Sequence, residues 1–203
     1  HRYSTIKYLT TLLRKCIMGP LKVCATKYIP CLSSIRNLST SMVKLLKVGD
    51  KIPESQLFEG SPGNKINTKE LFENKKVVLF GVPGAFTPGC SKTHLPGYIK
   101  SADTIKKSQG VDEIVCVAVN DPFVMAAWGA SNNATGKVRM LADTQAAFTK
   151  SIGMDLDMTA ILGSVRSKRY SMVINKGIIE QFNVEPDGTG LSCSLAENLV
   201  KSN

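Results

Sequence analysis

Cys90 stands where its neighbours can make a thiol reactive. The apolar run Lys76-Val-Val-Leu-Phe-Gly-Val82 stops at Pro83-Gly84, and Thr87-Pro88-Gly89-Cys90 follows. Thr87 is a favourable N-cap, and Pro88 suits the first helical position, where its missing N–H removes nothing, so Cys90 falls in the first turn. Unpaired N–H groups and the helix dipole at that end favour thiolate over thiol. Thr87 and Cys90 also have the spacing of a capping box, with a thiolate in place of the usual carboxylate. The ordinary alternative is a small inert residue closing a helix start. His94, four residues on, can share the helix face of Cys90 and so admits a Cys–His dyad. Against that dyad stands a structural hydrogen bond one turn deeper, and no Asn or Asp orienter is identifiable from spacing.

The elements that must position Cys90 follow from periodicity and punctuation. Lys76 to Val82 reads as a strand covered on both faces. Ahead of it, Gln56 to Ile66 reads as a hairpin around Ser61-Pro-Gly-Asn64, and Asn67 with Glu70 has capping-box spacing for a short helix through Phe72. The Cys90 helix should run to Gly110, kinked by Pro96. Next come a strand at Glu113 to Val119, a helix at Pro122 to Ser131, a strand at Val138 to Leu141 and a helix at Thr144 to Ser151, an alternation that implies largely parallel pairing. Arg169 to Ile174 and Ile178 to Val184 form a hairpin about Asn175-Lys-Gly177, and a last helix begins near Ser194 and Glu197. The fold class is α/β, a thioredoxin-like fold with a central mixed β-sheet flanked by helices.

Charge is distributed unevenly over the 203 residues. Nine of the 26 Lys and Arg precede Asp50, and none of the 16 Asp and Glu does. The remaining 17 basic and 16 acidic residues nearly cancel, which disfavours a nucleic-acid partner for the folded part despite the formal charge of +10. Residues 1–41 are basic, rich in Ser and Thr and free of acid, as in a mitochondrial presequence; a disordered basic tail and a secretory signal are the alternatives. Arg14 and Lys15 interrupt the apolar run there, so it is too short to span a membrane and no stable membrane association is expected. Residues 42–203 then form the domain, and Met42 offers an internal start for a cytosolic form. The ending Val200-Lys-Ser-Asn203 differs from a Ser-Lys-Leu-type peroxisomal signal. Cys16, Cys24 and Cys31 lie in the presumed presequence, Cys90, Cys116 and Cys193 in the domain, and no pair has zinc-ligand spacing, so no metal site is expected.

Pro83-Gly-Ala-Phe-Thr87-Pro-Gly-Cys90 matches the P-x-x-x-[ST]-x-x-C signature of the peroxiredoxins, and its extension through Ser91-Lys-Thr-His-Leu-Pro-Gly97 resembles the peroxiredoxin-5 subfamily. The similarity runs from about Val43 to Val200, through Val119-Asn-Asp121, Ala127-Trp-Gly129, Lys137 to Asp143, Arg169-Tyr-Ser-Met-Val173 and Val184 to Cys193. The resemblance implies that Cys90 attacks a peroxide, with Thr87, Arg169 and the N–H groups around Gly89 and Cys90 holding the oxygens, and with Pro83 and Gly89 in the substrate pocket. It implies Cys193 as the resolving cysteine, thioredoxin as reductant, and hydrogen peroxide, small alkyl hydroperoxides and peroxynitrite as substrates, with no metal or organic cofactor. A monomer or weak homodimer is expected. Cys116, in an apolar strand, is expected to be core, and Arg139 is a secondary basic candidate outside the catalytic set. The competing readings are a thiol–disulfide oxidoreductase, which would want a Cys where Thr87 stands, and a redox-sensing relay that passes oxidation to a partner.

Overall fold

The computed structural model describes residues 45–201. The presequence expected over 1–41 and the start at Met42 lie outside them. Nine strands are described: β1 (Gln56–Glu59), β2 (Ser61–Asn67), β3 (Lys76–Val82), β4 (Glu113–Ala118), β5 (Arg139–Ala142), β6 (Asp155–Asp157), β7 (Val165–Ser167), β8 (Tyr170–Asn175) and β9 (Ile178–Val184). Seven of them form one sheet in the order β2-β1-β5-β4-β3-β8-β9. β3, β4 and β5 are parallel, and β1, β2, β8 and β9 are added antiparallel at the two sides. The sheet is therefore mixed, as the change from strand–helix alternation to a hairpin predicts.

The apolar run of β3 is covered on both faces. Val78, Phe80 and Val82 join the core built with Cys90, Leu95, Tyr98 and Trp128, while Val77 and Leu79 join the one built with Phe72, Leu141 and Phe148. Helices α2 (Leu95–Gln109), α3 (Pro122–Ser131) and α6 (Ala196–Lys201) serve the first face; α1 (Thr68–Phe72) and α4 (Ala147–Ser151) serve the second. Three caps form from the residue types present. Asn67 accepts from Lys69 N, Asp121 accepts from Val124 N, and α2 ends on Gly110 at φ 63°.

Four local expectations need correction. The first hairpin turns at Gly60, where Glu59 pairs with Ser61; Pro62-Gly-Asn64 bulges inside β2, because Phe58 next pairs with Lys65. The helix expected from Thr144 begins only at Ala147, after Ala146 takes φ 56° and Asp143 accepts from Phe148 N and Thr149 N. Residues 152–168, given no element by their pattern, hold the small β6–β7 sheet around α5 (Thr159–Leu162), whose pieces are too short to show a period. Pro96 does not mark a simple kink. A π-turn spans Cys90–His94, with Leu95 N bonded to Cys90 O, and the regular α2 starts immediately before the proline.

Candidate active site

Cys90 lies beyond the carboxyl end of β3, where the chain leaves the sheet and starts a helix. In open α/β sheets, binding sites gather at these carboxyl ends. Pro83 is buried directly after the strand, Asn120 Oδ1 accepts from Ala85 N at 3.0 Å to fix the turn, and helical conformation begins at Pro88. Cys90 is fully buried in the first turn. Thr87 occupies the capping position but its side chain does not cap. Its hydroxyl donates to Gly84 O at 3.0 Å and its own carbonyl accepts from Ser91 N at 2.9 Å. The expected Thr87–Cys90 capping box is thus replaced by a hydroxyl turned back into the preceding loop, because the turn at Ala85-Phe86, with Phe86 at φ 61°, brings Thr87 back to the Gly84 carbonyl.

Arg169 arrives from the start of β8, the strand hydrogen-bonded to β3 on its other side. Its side chain is buried, and Nη1 donates to Cys90 Sγ at 3.2 Å. The guanidinium is held from both directions: Nε donates to Thr189 O at 3.0 Å, and Nη1 lies 3.3 Å from His94 Nδ1. A Cβ on Gly89 would come within 3.3 Å of Arg169 Nη2 and 3.4 Å of Leu191 Cδ1, so the absent side chain lets the loop after Asp187 close over the thiol.

His94 makes no dyad with Cys90. Its Nε2 faces Ser194 O at 3.1 Å, a carbonyl that can only accept, so Nε2 carries the proton and Nδ1 is left to accept from Arg169. Burial holds the imidazole down to about 4, and the neighbouring Arg169 charge works in the same direction. It is packed edge-on against Phe80 and Tyr98, which stack on each other with centroids 3.9 Å apart. His94 therefore serves as a neutral bridge from the Cys90 helix to the segment that carries Cys193.

Cys193 is a separate, partly exposed free thiol whose Sγ donates to Val184 O at 3.3 Å. It opens on a groove of about 640 Å³ lined by Val48, Phe182, Asn183, Ser192 and Asn198. Burial and then the charge of Glu185 push its thiol up. Cys116 is buried in β4, and burial raises its thiol well above the usual range. Arg139 lies at the opposite end of the parallel strands, where it pairs with Glu59 at 2.8 Å and Glu113 at 2.7 Å, and Glu113 also takes Lys75. Two site neighbours lie in stretches that carry the family resemblance but are singled out there for no role. Trp128 Nε1 donates to Ser91 Oγ at 3.0 Å, and Glu185 is buried among four donors from Ser192 and Ser194. A lone acid ahead of a Gly-rich, Ser-flanked Cys is the pattern that could have drawn attention to Glu185. Among the described residues no group of three or more His, Cys, Asp and Glu is arranged to hold a metal ion.

Residues 47–200 match the redoxin family model. Over 158 residues the chain is 41% identical to peroxiredoxin-2C of Oryza sativa subsp. japonica, covering 76% of this chain and 96% of that protein. The chain is a peroxiredoxin of the redoxin family. Solved structures agree. Reduced Prx3 of Vibrio vulnificus in complex with hydrogen peroxide is 45% identical with a TM-score of 0.71, over 77% of this chain and 98% of that one. Peroxiredoxin 5 of Alvinella pompejana is 41% identical with a TM-score of 0.68, over 78% and 99%. This peroxiredoxin accordingly has the thioredoxin-like fold, and it is an oxidoreductase of the peroxidase type.

Proposed function

We propose that this peroxiredoxin is a thioredoxin-dependent thiol peroxidase of the peroxiredoxin-5 type, acting on hydrogen peroxide, small alkyl hydroperoxides and peroxynitrite. The observation that carries the reading is the 3.2 Å contact of Arg169 Nη1 with a buried Cys90 Sγ at a helix start. A guanidinium and first-turn N–H groups can both donate to the sulfur and to peroxide oxygens. Thr87 takes the complementary part: with its proton given to Gly84 O, its oxygen is left to accept from the peroxide O–H. The Cys90 thiolate attacks one peroxide oxygen, the O–O bond breaks, and the departing alkoxide or hydroxide takes a proton, leaving Cys90 sulfenic acid. Cys193 attacks that sulfur, the S–O bond breaks and water leaves, giving an intramolecular disulfide that the thioredoxin dithiol reduces. The cycle written this way calls on no metal or organic cofactor. Both cysteines are free in this structure and each has its own partner, so closing the disulfide needs the first turn at Cys90, the loop over 187–193, or both to move.

The test is mass spectrometry after one equivalent of peroxide, on the parent and two variants. Cys90→Ser should lose peroxide consumption. Cys193→Ser should react once, stop at sulfenic acid and lose thioredoxin-linked turnover. Full thioredoxin-linked turnover in Cys193→Ser would end the resolving assignment, and substantial peroxide turnover in Cys90→Ser would end the whole reading. The acid-free, basic stretch 1–41 is proposed as a mitochondrial presequence, with Met42 starting a cytosolic form. Residues 1–41 fused to a reporter should deliver it to mitochondria, and a diffuse or plastid signal would refute this. A monomer or weak homodimer is proposed in solution, to be read by sedimentation velocity.

A further inference from the structure

The geometry points to Glu185 as a positioning residue of the resolving step, one that holds Cys193 back and thereby sets how long the Cys90 sulfenic acid persists. The proposal rests on the reading of Cys193 as the resolving thiol. Glu185 directly follows β9 and is buried. Oε1 accepts from Ser192 N at 2.8 Å, Ser194 N at 2.9 Å and Ser194 Oγ at 2.7 Å, while Oε2 accepts from Ser192 Oγ at 2.6 Å. One carboxylate thus ties down the residues on both sides of Cys193 and leaves the cysteine between two tethers.

The clamp is wired to the other thiol. The Ser194 carbonyl accepts from His94 Nε2 and from Tyr98 Oη at 2.8 Å, both on the helix that begins with Cys90. On its other side Glu185 N donates to Arg169 O at 3.0 Å, and Arg169 holds Cys90 Sγ. A change in the first turn at Cys90 is therefore passed to Ser194 through His94 and to Glu185 through Arg169. The clamp also acts on reactivity, because the resolving nucleophile is the thiolate and a carboxylate beside it opposes ionisation. The charged residues on the elements around Cys193 are Lys47, Glu180, Glu185, Asp187 and Glu197. Glu180 is paired with Lys76 at 3.0 Å, and Glu185 is the one that pushes the thiol up.

Glu185→Gln keeps the shape and removes the charge: the amide oxygen can keep the three donors at the Oε1 position, the amide NH2 at the Oε2 position can donate to a rotated Ser192 hydroxyl, and every tether becomes a weaker neutral hydrogen bond. Stopped-flow fluorescence of the single Trp, whose indole is bonded to Ser91 beside Cys90, follows the oxidation phase, and mass spectrometry of quenched samples follows disulfide formation. Disulfide formation should accelerate about tenfold, as exchanging charge-assisted tethers for neutral ones implies, and its pH profile should move to lower pH. The oxidation phase should stay within about twofold of the parent, a factor far smaller than one charged hydrogen bond commands. An unchanged or slower disulfide step with an intact oxidation phase overturns the clamp. Should Glu185→Gln fail to fold, Ser192→Ala removes one tether and leaves the charge. It should speed the step about threefold above the thiol's titration range, and its pH profile should not move to lower pH, because the Ser192 side chain holds the Cys193 thiol down. No acceleration in that variant overturns the clamp as well. The parent reading fails separately: Cys193→Ser that still turns over with thioredoxin removes the resolver, and Glu185's role with it. Cys193→Ser that stalls at sulfenic acid while Glu185→Gln changes nothing removes the clamp alone.

Discussion

Arg169 does three things with one side chain, and a lysine could do only part of one of them. Its Nη1 faces Cys90 Sγ, the same nitrogen faces His94 Nδ1, and Nε is tied to Thr189 O, so the fork is fixed before any peroxide arrives. A lysine keeps the charge as a point on a flexible stem and cannot hold three partners in one plane. Arg169→Lys should therefore slow peroxide attack by about ten- to a hundredfold, the span that one charged hydrogen bond of roughly 1.5–3 kcal/mol commands. The first fluorescence phase after mixing with peroxide reads this directly, with circular dichroism confirming that the variant is folded. A rate within about twofold of the parent, well short of one charged hydrogen bond, would make Arg169 a structural tether of the Thr189 loop rather than part of the thiolate's environment.

At the scale of elements, legibility followed the length of the signal. β3 was readable because six apolar positions between Lys76 and Pro83 leave few other conformations, and both of its faces are covered as that run demands. The hairpin β8–β9 was readable from Asn175-Lys-Gly177, and the structure places Lys176 at φ 48° and Gly177 at φ 81°, the paired positive angles of a two-residue turn. The β6–β7 sheet was not readable, since three-residue strands carry no period. The direction of the Thr87 hydroxyl was not readable either, because a capping type at a capping position says nothing of the Gly84 carbonyl that competes for its proton. Gly81 shows a constraint hidden from pattern altogether. It lies inside β3, opposite Tyr170, and a Cβ there would stand 2.2 Å from the Tyr170 ring. A strand glycine of this kind marks close approach rather than flexibility. It brings the start of β8, and so Arg169, against the strand that delivers Cys90.

For the whole molecule, the buried polar links between the Cys90 helix and the Cys193 segment make the fold sensitive to acid. His94 is neutral in the fold, held down to about 4 by burial, whereas an unfolded histidine titrates at 6.5. Between those values the unfolded chain binds a proton that the folded chain does not, so folding stability falls as pH drops from about 6.5 to about 4. From pH 7 to pH 5 this one group should remove about 2 kcal/mol, at 1.36 kcal/mol per unit of difference. Glu185 adds a second window at lower pH. Burial alone would raise it, but the hydrogen bonds from Ser192 and Ser194 hold it down to about 2 from 4.5, so its contribution is present above about 4.5 and disappears as pH falls towards 2. The chain has two histidines, His1 and His94, so replacing His94 decides whether the upper window belongs to it. Urea unfolding of the parent should show the loss between pH 7 and 5, and His94→Asn should flatten it even though the variant starts less stable for want of the Arg169 contact. An identical pH dependence in the two proteins would mean that the proton is taken up elsewhere, and that His94 is not the neutral bridge joining the two thiol-bearing segments.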